Sequence, residues 1–299
     1  LESHRDYVKL LAAVVPRIRA ADPSVKIMST SATMDYKLEN LLKAGVLEHV
    51  DALSLHPYVS WRGRGRDTVE SWYGLMQRMD RTIRKYNRGK PFPVYITEIG
   101  WPAAITANGF TEETQAVYAA QLLCSVRTLP FVKGLLWYDF QDDNVRPGEA
   151  EANFGLIRAD ATPKPAYYVF ADLSELVRDG EFVRRIETGD QKVWILHYRL
   201  NSDDVYAMWN YHPDRNTQIV LRNEAATRAP VSVRHAGRPA VTMEWGRRDW
   251  LRQKPRQADE LAFTLRDMPL LLRGDLSRVR LVRIETVPFP RELPINRQP

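Results

Sequence analysis

Residues 93–102 form the stretch Pro93-Val94-Tyr95-Ile96-Thr97-Glu98-Ile99-Gly100-Trp101-Pro102. Its first half is rich in β-branched and aromatic residues, and glycine and proline close it, so it predicts a short buried strand. An ionised carboxylate at the end of a buried strand is costly unless it is paired, hydrogen-bonded or used in chemistry. In a (β/α) barrel the catalytic groups lie at the carboxyl ends of the strands. Glu98 is therefore the first candidate for a catalytic residue.

Helical and extended patterns alternate around this strand up to about residue 178. Strands are predicted at residues 25–30, 50–56, 93–98 and 131–140. A helical pattern precedes the first of them, and another follows each strand. Such alternation predicts a parallel sheet, and nearly continuous apolar strands suit a sheet that is covered on both faces. A complete (β/α)8 TIM barrel takes about 250 residues, so we expect only about its last four βα units here. An open doubly wound sheet is the alternative, although no glycine-rich phosphate loop follows any of these strands.

The sequence changes character at about residue 181, where short alternating segments separated by polar turns begin. Strands are predicted at residues 192–200, 205–209, 217–221, 231–234, 240–245, 261–265 and 279–284. Short strands at this spacing are typical of an antiparallel β-sandwich. We therefore predict a barrel segment over residues 1–178, a β-sandwich domain over residues 179–286, and a loose proline-rich tail over residues 287–299.

Composition argues against several classes of function. The single cysteine, Cys124, cannot form an internal disulfide or a cysteine metal cluster. His49 and His56 lack the spacing of metal ligands, and we expect neither a metal nor a cofactor. The net charge of +6 comes from basic residues spread among 37 acids, so the concentrated basic surface that nucleic acid requires is not predicted. No apolar run approaches the roughly 20 residues that span a bilayer.

The chain begins at Leu1 and enters a helical pattern almost at once. Neither a methionine nor a signal-like segment precedes this helix, which looks like an element from the inside of a domain. We therefore expect that processing or truncation has removed an upstream segment.

Distinct motifs follow the predicted strands. The second strand ends in His56-Pro57-Tyr58, and the third ends in Glu98 with Trp101 close behind it. The fourth ends in Leu136-Trp137-Tyr138-Asp139-Phe140-Gln141-Asp142-Asp143, after which Asn153-Phe154-Gly155-Leu156-Ile157 precedes Thr162-Pro163-Lys164-Pro165-Ala166-Tyr167. Taken together over residues 1–178, these motifs resemble the second half of a clan A glycoside hydrolase, closest to family 39 and the neighbouring family 5-type enzymes.

The resemblance implies a retaining glycosidase, in which one carboxylate attacks the sugar and a second carboxyl group protonates the leaving oxygen. It implies that Glu98 is the nucleophile and that Trp137 is a flat platform for the sugar. Trp101 and Asp139 are further candidates for substrate binding, and Asp142 could also bind sugar hydroxyls. The implied partner is a carbohydrate, and the implied location is outside the cell or in the periplasm.

An ionised nucleophile needs hydrogen-bond donors close to it. His56 and Tyr58, at the end of the preceding strand, are suitable donors. Ser54 and His56 share one face of that strand, as Ile96 and Glu98 share one face of the next. We therefore expect both strand ends to point into a common pocket.

The second carboxyl group of the pair is missing from the expected place. In the clan it is a glutamate, usually within Asn-Glu-Pro, and that tripeptide does not occur here. Asn223-Glu224 lies in the β-rich part, and Glu2 is too close to the first helix to end a strand. The resemblance therefore implies an acid/base glutamate upstream of Leu1, and a possible partner in the missing N-terminal half of the same barrel.

Other interpretations of these residues stay open. Glu98 could be an ion-pair partner for an arginine, His56 a satisfied strand cap, Trp137 ordinary core, and Asp139 part of a solvated acidic loop. At the level of the whole chain, one alternative is a non-catalytic carbohydrate-binding protein on a barrel scaffold. Another is an incomplete barrel whose open sheet edges require a partner chain.

Overall fold

The computed structural model describes residues 2–60, 68–105, 109–146, 148–225, 228–245 and 259–288. The chain divides into two compact units, Leu1–Tyr167 and Tyr168–Pro299.

The first unit contains a parallel sheet of three strands, in the order β1-β2-β3. The strands are β1 (Leu53–Leu55), β2 (Val94–Ile99) and β3 (Val132–Trp137). The helices are α1 (Glu2–Ala21), α2 (Asp35–Lys43), α3 (Val69–Tyr86) and α4 (Glu112–Val126), with α5 (Pro165–Asp179) crossing into the second unit. Short 3₁₀ turns occupy Val46–Glu48 and Glu151–Asn153. Helices between parallel strands are the arrangement that the alternating sequence pattern predicts.

Local sequence explains where the helices that follow the strands begin. The Thr68 hydroxyl accepts a hydrogen bond from the backbone N–H of Ser71, and the Thr111 hydroxyl accepts one from Thr114. Each bond satisfies one of the backbone donors that a helix start leaves unpaired. Thr68 and Thr111 are therefore the N-caps of α3 and α4. Helix α4 is buried along most of its length, so the strands beside it are fixed by packing on that side.

The first predicted strand, at residues 25–30, is not a regular strand. Within the described residues it forms one isolated parallel bridge, between Met28 and Ala52, and a second bridge joins Ala32, beyond the segment, to Leu55. The Asp51 carboxylate accepts the backbone N–H of Ile27 at 2.9 Å, which diverts a donor that a regular ladder would use. The four predicted strands therefore correspond to three parallel strands and one loosely paired segment. The partial barrel stays a prediction.

The second unit consists of two antiparallel sheets. The larger has six strands in the order β4-β5-β6-β11-β8-β9, and the smaller has the order β10-β7-β12. The strands are β4 (Glu181–Arg185), β5 (Val193–Leu200), β6 (Asp203–Asn210), β7 (Arg215–Asn223), β8 (Val231–His235), β9 (Val241–Met243), β10 (Glu260–Leu265), β11 (Leu270–Gly274) and β12 (Val279–Pro288). Both sheets contribute to one buried core, as a sandwich requires; it includes Ile195, Met208, Ile219 and Phe263.

Two predicted boundaries compare differently with the structure. The compact units divide inside α5, whereas the sequence predicts a domain boundary after residue 178, which stays a prediction. The later turns of α5 pair with the second unit, because Asp172 accepts from Arg234 at 2.8 Å and Glu175 pairs with Arg273 at 3.2 Å. Helical periodicity shows where a helix ends but not which core its last turns join. Residues 287 and 288, predicted as tail, end β12 instead, and residues 289–299 lie outside the described part.

Candidate active site

The candidate site forms where β1 and β2 end side by side. Strand β1 stops at Leu55, and the next residue, His56, donates its backbone N–H to Ala32. Glu98 is the second-last residue of β2. Parallel pairing aligns the carboxyl ends of both strands on one edge of the sheet, which is where (β/α) enzymes assemble their reacting groups.

Each oxygen of the Glu98 carboxylate has one hydrogen-bonding partner. Oε2 lies 2.8 Å from Nδ1 of His56, and Oε1 accepts a hydrogen bond of 2.9 Å from the hydroxyl of Tyr58. The Glu98 side chain is 30% exposed and that of His56 is 21% exposed, so solvent reaches the pair. The structure brings together the three residues that the sequence singled out at these two strand ends. Among the described residues, Glu98 has no arginine partner.

Burial and the hydrogen bond to Glu98 raise the pKa of the Tyr58 phenol well above its ordinary value. The sign follows from charge: a phenolate that is removed from water beside a carboxylate would be destabilised, whereas the neutral phenol donates to that carboxylate. Tyr58 therefore remains a hydrogen-bond donor throughout the neutral pH range.

A second layer of hydroxyl groups lies behind His56, and the sequence analysis missed it. Nε2 of His56 is 3.0 Å from the Thr97 hydroxyl, which is 2.6 Å from the Ser54 hydroxyl. The backbone N–H of Ser54 in turn donates to the Ser29 hydroxyl at 3.1 Å. The signal that could have found this layer is the run of small hydroxyl residues on neighbouring strands at positions where apolar residues are usual.

The strand register corrects the predicted alignment of faces. Ser54 pairs with Tyr95, and Leu55 pairs with Ile96, so strand alternation puts Ser54 on the same face as Thr97 and not on that of Glu98. His56 contacts both Thr97 and Glu98. It can do so because it lies beyond the last paired residue of β1, where alternation no longer fixes the direction of a side chain. His56 and Glu98 therefore come together through the strand end and not through a shared face.

The two predicted tryptophans differ in what they can contact. Trp137, at the end of β3, is half-buried and donates its indole N–H to the carbonyl of Phe154 at 3.1 Å. Trp101 is 0% exposed; its ring lies 6.1 Å from that of Trp137 and 5.4 Å from that of Tyr118. A sugar needs an exposed ring face, so the buried position of Trp101 is that of a support for Trp137. Direct contact with substrate by Trp101 is not favoured.

Asp139 has an unusual environment for a carboxyl group. Burial raises its pKa to about 6, and the nearby charges of Asp143 and Asp142 add to the rise. Its Oδ1 atom is buried and has no hydrogen-bonding partner. The peptide bond between Tyr138 and Asp139 is cis. Within the described residues no hydrogen bond or ion pair joins Asp139 to Glu98, so its proposed place in the site rests on the shared sheet edge alone.

Asp142 is neither a sugar ligand on the surface nor part of a solvated loop. Its side chain is 5% exposed; Oδ1 accepts from Nζ of the buried Lys164 at 2.7 Å and from the backbone N–H of Gly155 at 2.8 Å. Burial raises the pKa of Asp142, and the hydrogen bond from Lys164 opposes the rise. No pattern in the sequence predicts the Lys164–Asp142 pair, because a lysine between two prolines is usually a surface residue.

Two glycines permit close crossings beside the site. A Cβ atom at Gly100 would lie 2.0 Å from the carbonyl oxygen of Tyr138, and one at Gly155 would lie 2.3 Å from the backbone nitrogen of Asp142. Real Cβ atoms do not approach a backbone atom so closely. The glycine in Ile-Gly-Trp therefore lets the segment after β2 pass directly over the end of β3.

A cavity of about 560 Å³ lies between the segments that follow β2 and β3, and Glu98 is not among its lining residues. Ile105, Phe110 and Val145 supply apolar lining. Its charged pair, Arg158 and Glu112, is hydrogen-bonded internally at 2.8 Å. Pockets with convergent polar groups are the usual choice for a site, but here the paired groups already satisfy each other. Glu98 with His56 and Tyr58 is the better candidate for the functional site, because its hydrogen-bonded carboxylate remains open to solvent.

The described residues contain neither a metal-binding cluster nor a membrane-spanning helix. No group of three or more histidine, cysteine, aspartate or glutamate residues is arranged there to hold a metal ion. None of the helices in those ranges combines the length and apolar character that crossing a bilayer requires.

Comparison with known proteins adds a fold relationship. No protein-family model and no curated protein sequence matches the chain. Among solved structures, a family 39 glycoside hydrolase from Bacteroides cellulosilyticus WH2 aligns with a TM-score of 0.66 at 23% identity, over 89% of this chain and 54% of that protein. The chain shares its fold with this hydrolase. The resemblance inferred from the sequence motifs is thereby confirmed at the level of the fold.

A glucosidase from Croceicoccus marinus aligns less closely, with a TM-score of 0.53 at 12% identity, over 91% of this chain and 64% of the glucosidase. The chain thus spans 54% and 64% of the lengths of these two relatives. At such identities the relationship concerns the fold.

Proposed function

We propose that the chain supplies the nucleophile of a retaining O-glycoside hydrolase that acts on β-glycosides or polysaccharide. The observation that carries the proposal is the Glu98 carboxylate, which has a donor on each oxygen and remains partly open to solvent at the end of a parallel strand. A carboxylate with this support is oriented and accessible, as a nucleophile must be. The fold shared with a family 39 glycoside hydrolase supports the same conclusion.

In the proposed reaction Glu98 attacks the anomeric carbon while a second carboxyl group protonates the departing oxygen. The glycosyl ester then forms on Glu98, and water, deprotonated by the second group, cleaves it and restores the carboxylate. Retaining enzymes hold the two carboxyl groups about 5–5.5 Å apart. His56 and Tyr58 hold the Glu98 carboxylate in position for attack, since both of its oxygens are already oriented by donors.

The acid/base group belongs, in this proposal, to a glutamate outside the chain. Trp137 is proposed as the platform on which a sugar ring stacks, because its indole is partly exposed and fixed by its bond to Phe154. Asp139, at the same edge of the sheet, is proposed to bind a sugar hydroxyl. A carbohydrate substrate of this kind suits a secreted or periplasmic protein.

Covalent labelling tests the proposal directly. A 2-fluoro glycoside inactivator should esterify Glu98 in the active protein, and peptide mass spectrometry should find the label on the peptide that contains it. Glu98→Gln should abolish labelling. Glu113→Gln is a matched control, because it changes an exposed glutamate at the start of α4 and should label like the wild type. Label on any other carboxyl group would refute the assignment.

The second candidate is an assembly role, in which this unit requires a complementary half-barrel. Leu10, Val14 and Ile18 are 58%, 38% and 37% exposed along one side of α1, and Leu136 of β3 is 54% exposed. Apolar residues at a four-residue spacing form a stripe on one helix face. Such surface is usually covered in a stable protein, and the relatives contain more chain than this one. The proposed occupant is the N-terminal half of the same barrel.

Co-expression separates the assembly role from catalysis. A complementary N-terminal half-barrel should form a stable complex with this chain, and Val14→Asp should weaken that complex. Glu98→Gln should leave the complex intact, since the carboxylate lies at the strand ends and not on α1. A chain that folds as a soluble monomer and gains nothing from the added half would remove the assembly proposal.

Carbohydrate binding without catalysis is the third candidate function. Such a protein would bind the glycoside without labelling and without turnover, and replacement of Glu98 would then leave binding close to that of the wild type.

A further inference from the structure

A chain of hydrogen bonds runs from the interior of the first unit to Glu98. Its members are the hydroxyls of Ser54 and Thr97, the imidazole of His56, and the carboxylate of Glu98, joined at 2.6, 3.0 and 2.8 Å. Ser54 is only 7% exposed, so water has little access to the inner end of the chain. A buried hydrogen-bond chain is restricted, because each hydroxyl carries a single proton to donate.

The direction of donation in this chain follows from the remaining partners. The Ser29 hydroxyl donates to the carbonyl of Thr30 at 2.9 Å and therefore does not donate to Ser54. In the described part of the chain, the only acceptor within reach of the Ser54 hydroxyl is the oxygen of Thr97. Ser54 therefore donates to Thr97, and Thr97 donates to Nε2 of His56.

An imidazole nitrogen that accepts a hydrogen bond carries no proton. His56 then has its one proton on Nδ1, the nitrogen that faces Oε2 of Glu98. A carboxylate is an acceptor only, so the same orientation satisfies the last link in the chain. Every donor and acceptor from Ser54 to Glu98 is thereby matched in one direction.

We propose that Ser54 and Thr97 are positioning residues that hold His56 as the neutral Nδ1–H tautomer, and so make it an uncharged donor to the nucleophile. The proposal rests on the assignment of Glu98 as nucleophile, and it adds the two hydroxyl residues and the protonation state of the imidazole. Protonation of Nε2 would require the Thr97 hydroxyl to turn its proton away from His56, and one buried hydroxyl proton of the Ser54–Thr97 pair would then have no acceptor, which costs free energy.

The chemical consequence concerns the charge that Glu98 loses when its ester forms. A cationic imidazolium would stabilise the free carboxylate most strongly and would lose that attraction as the new bond forms. A neutral N–H donor orients the oxygen with a smaller penalty of this kind. The relay of hydroxyls therefore favours reaction at Glu98 by excluding a full positive charge from its nearest partner.

The test is ¹⁵N NMR of the histidine side chains in the full chain at pH 7.5, with His56 assigned by comparison with His56→Gln. The expected spectrum shows Nδ1 protonated and Nε2 unprotonated. Ser54→Ala should raise the protonated fraction at Nε2, because water in the vacated space can take the Thr97 proton and leave that hydroxyl free to act only as an acceptor. Ser125→Ala is the matched control: it removes a buried hydroxyl that donates only to the Gln121 carbonyl, and it should leave the His56 signals unchanged. A proton on Nε2 of wild-type His56 would overturn the proposal.

Thr97 supplies a second measurement that a purely structural role would not move. Thr97→Ser keeps the hydroxyl and should retain the wild-type tautomer, whereas Thr97→Val, of similar shape, should lose it. In the active protein Thr97→Val should lower kcat roughly tenfold with KM little changed, as expected for the loss of one buried hydrogen bond, and Thr97→Ser should restore it. Equal activity in Thr97→Val and Thr97→Ser would count against the proposal.

The two measurements separate this inference from the proposed function. If the wild-type tautomer is the expected one and Glu98 is not labelled by a glycoside inactivator, the relay stands and the catalytic assignment fails. If Glu98 is labelled and Nε2 carries a proton, the catalytic assignment stands and the relay fails.

Discussion

Glu98 and Asp142 are two carboxylates near the ends of neighbouring strands, and they are held in opposite ways. Asp142 is 5% exposed and is bound by a lysine ammonium and a backbone N–H. Glu98 is 30% exposed and is bound by an imidazole and a phenol. The buried ion pair holds Asp142 away from solvent, as expected of a structural acid. The Glu98 carboxylate is oriented by its donors and still reachable, as expected of an acid that reacts.

Replacement of Glu98 should have the largest effect on rate and little effect on the fold. Glu98→Gln removes the nucleophile, and we expect kcat for an aryl β-glycoside to fall by about 10⁴-fold or more. Its unfolding midpoint in urea should change little, because the side chain is 30% exposed and the amide oxygen still accepts one of the two hydrogen bonds. Steady-state kinetics and urea unfolding on the same preparation check both halves. Substantial residual turnover would place the nucleophile elsewhere.

Replacement of Asp142 should reverse that pattern. Asp142→Asn leaves the Lys164 ammonium buried without a counter-charge, and breaking a buried pair in this way typically costs about 3–5 kcal/mol of unfolding free energy. The double variant Asp142→Asn with Lys164→Met should recover much of that loss, because no unpaired charge remains. Urea unfolding of the two variants measures the difference. An Asp142→Asn protein as stable as the wild type would show that the pair contributes nothing.

Loss of one hydrogen bond to Glu98 should have a smaller effect. Tyr58→Phe removes the donor to Oε1 but keeps the ring, which packs edge-on at 6.1 Å from that of Phe154. We expect kcat/KM to fall about tenfold, as for a hydrogen bond to a charged group. The same substitution at Tyr73, whose hydroxyl bonds to Thr128, is a control that should not affect the rate. Equal rates for Tyr58→Phe and the wild type would remove the phenol from the site.

The pH dependence of stability should reveal Asp139. Its pKa is raised to about 6 in the folded chain, so folding favours its protonated form. The group then has no effect below about pH 4, where it is protonated in both states, and it destabilises the fold as the pH rises through 6. After allowance for its partial exposure to solvent, we expect about 1 kcal/mol.

Asp139→Asn should remove that dependence. The stability difference between wild type and variant, measured by urea unfolding at pH 4.5 and pH 7.5, should therefore change in favour of the variant as the pH rises. A difference that is constant with pH would contradict the raised pKa.

The surroundings of Glu98 are easier to predict from the sequence than those of Asp142. Glu98, His56 and Tyr58 stand at strand ends marked by proline and glycine, so local pattern was enough to bring them together. Lys164 and Asp142 are 22 residues apart, and their pairing depends on the path of the backbone between them. No periodicity in the sequence carries that information.

Strand patterns failed where tertiary contacts decide the outcome. The segment at residues 25–30 has the composition of a strand, yet a side chain of Asp51 takes one of its backbone donors. Thr97 was overlooked because alternation turns it away from Glu98, although His56 reaches both from beyond the end of β1. The sequence makes Trp101 a candidate for substrate binding, because a tryptophan beside a strand-end carboxylate has the same appearance in sequence whether it binds sugar or supports another ring.

The near-contact at Gly100 has a consequence for transplanting this site. The segment after β2 crosses the Tyr138 carbonyl with no room for a methyl group, so the ends of β2 and β3 share one backbone junction. Residues 93–102 grafted alone into another barrel would carry Glu98 but not the crossing at the Tyr138 carbonyl that positions it. The portable part is the pair of strand ends together with the glycine that joins them.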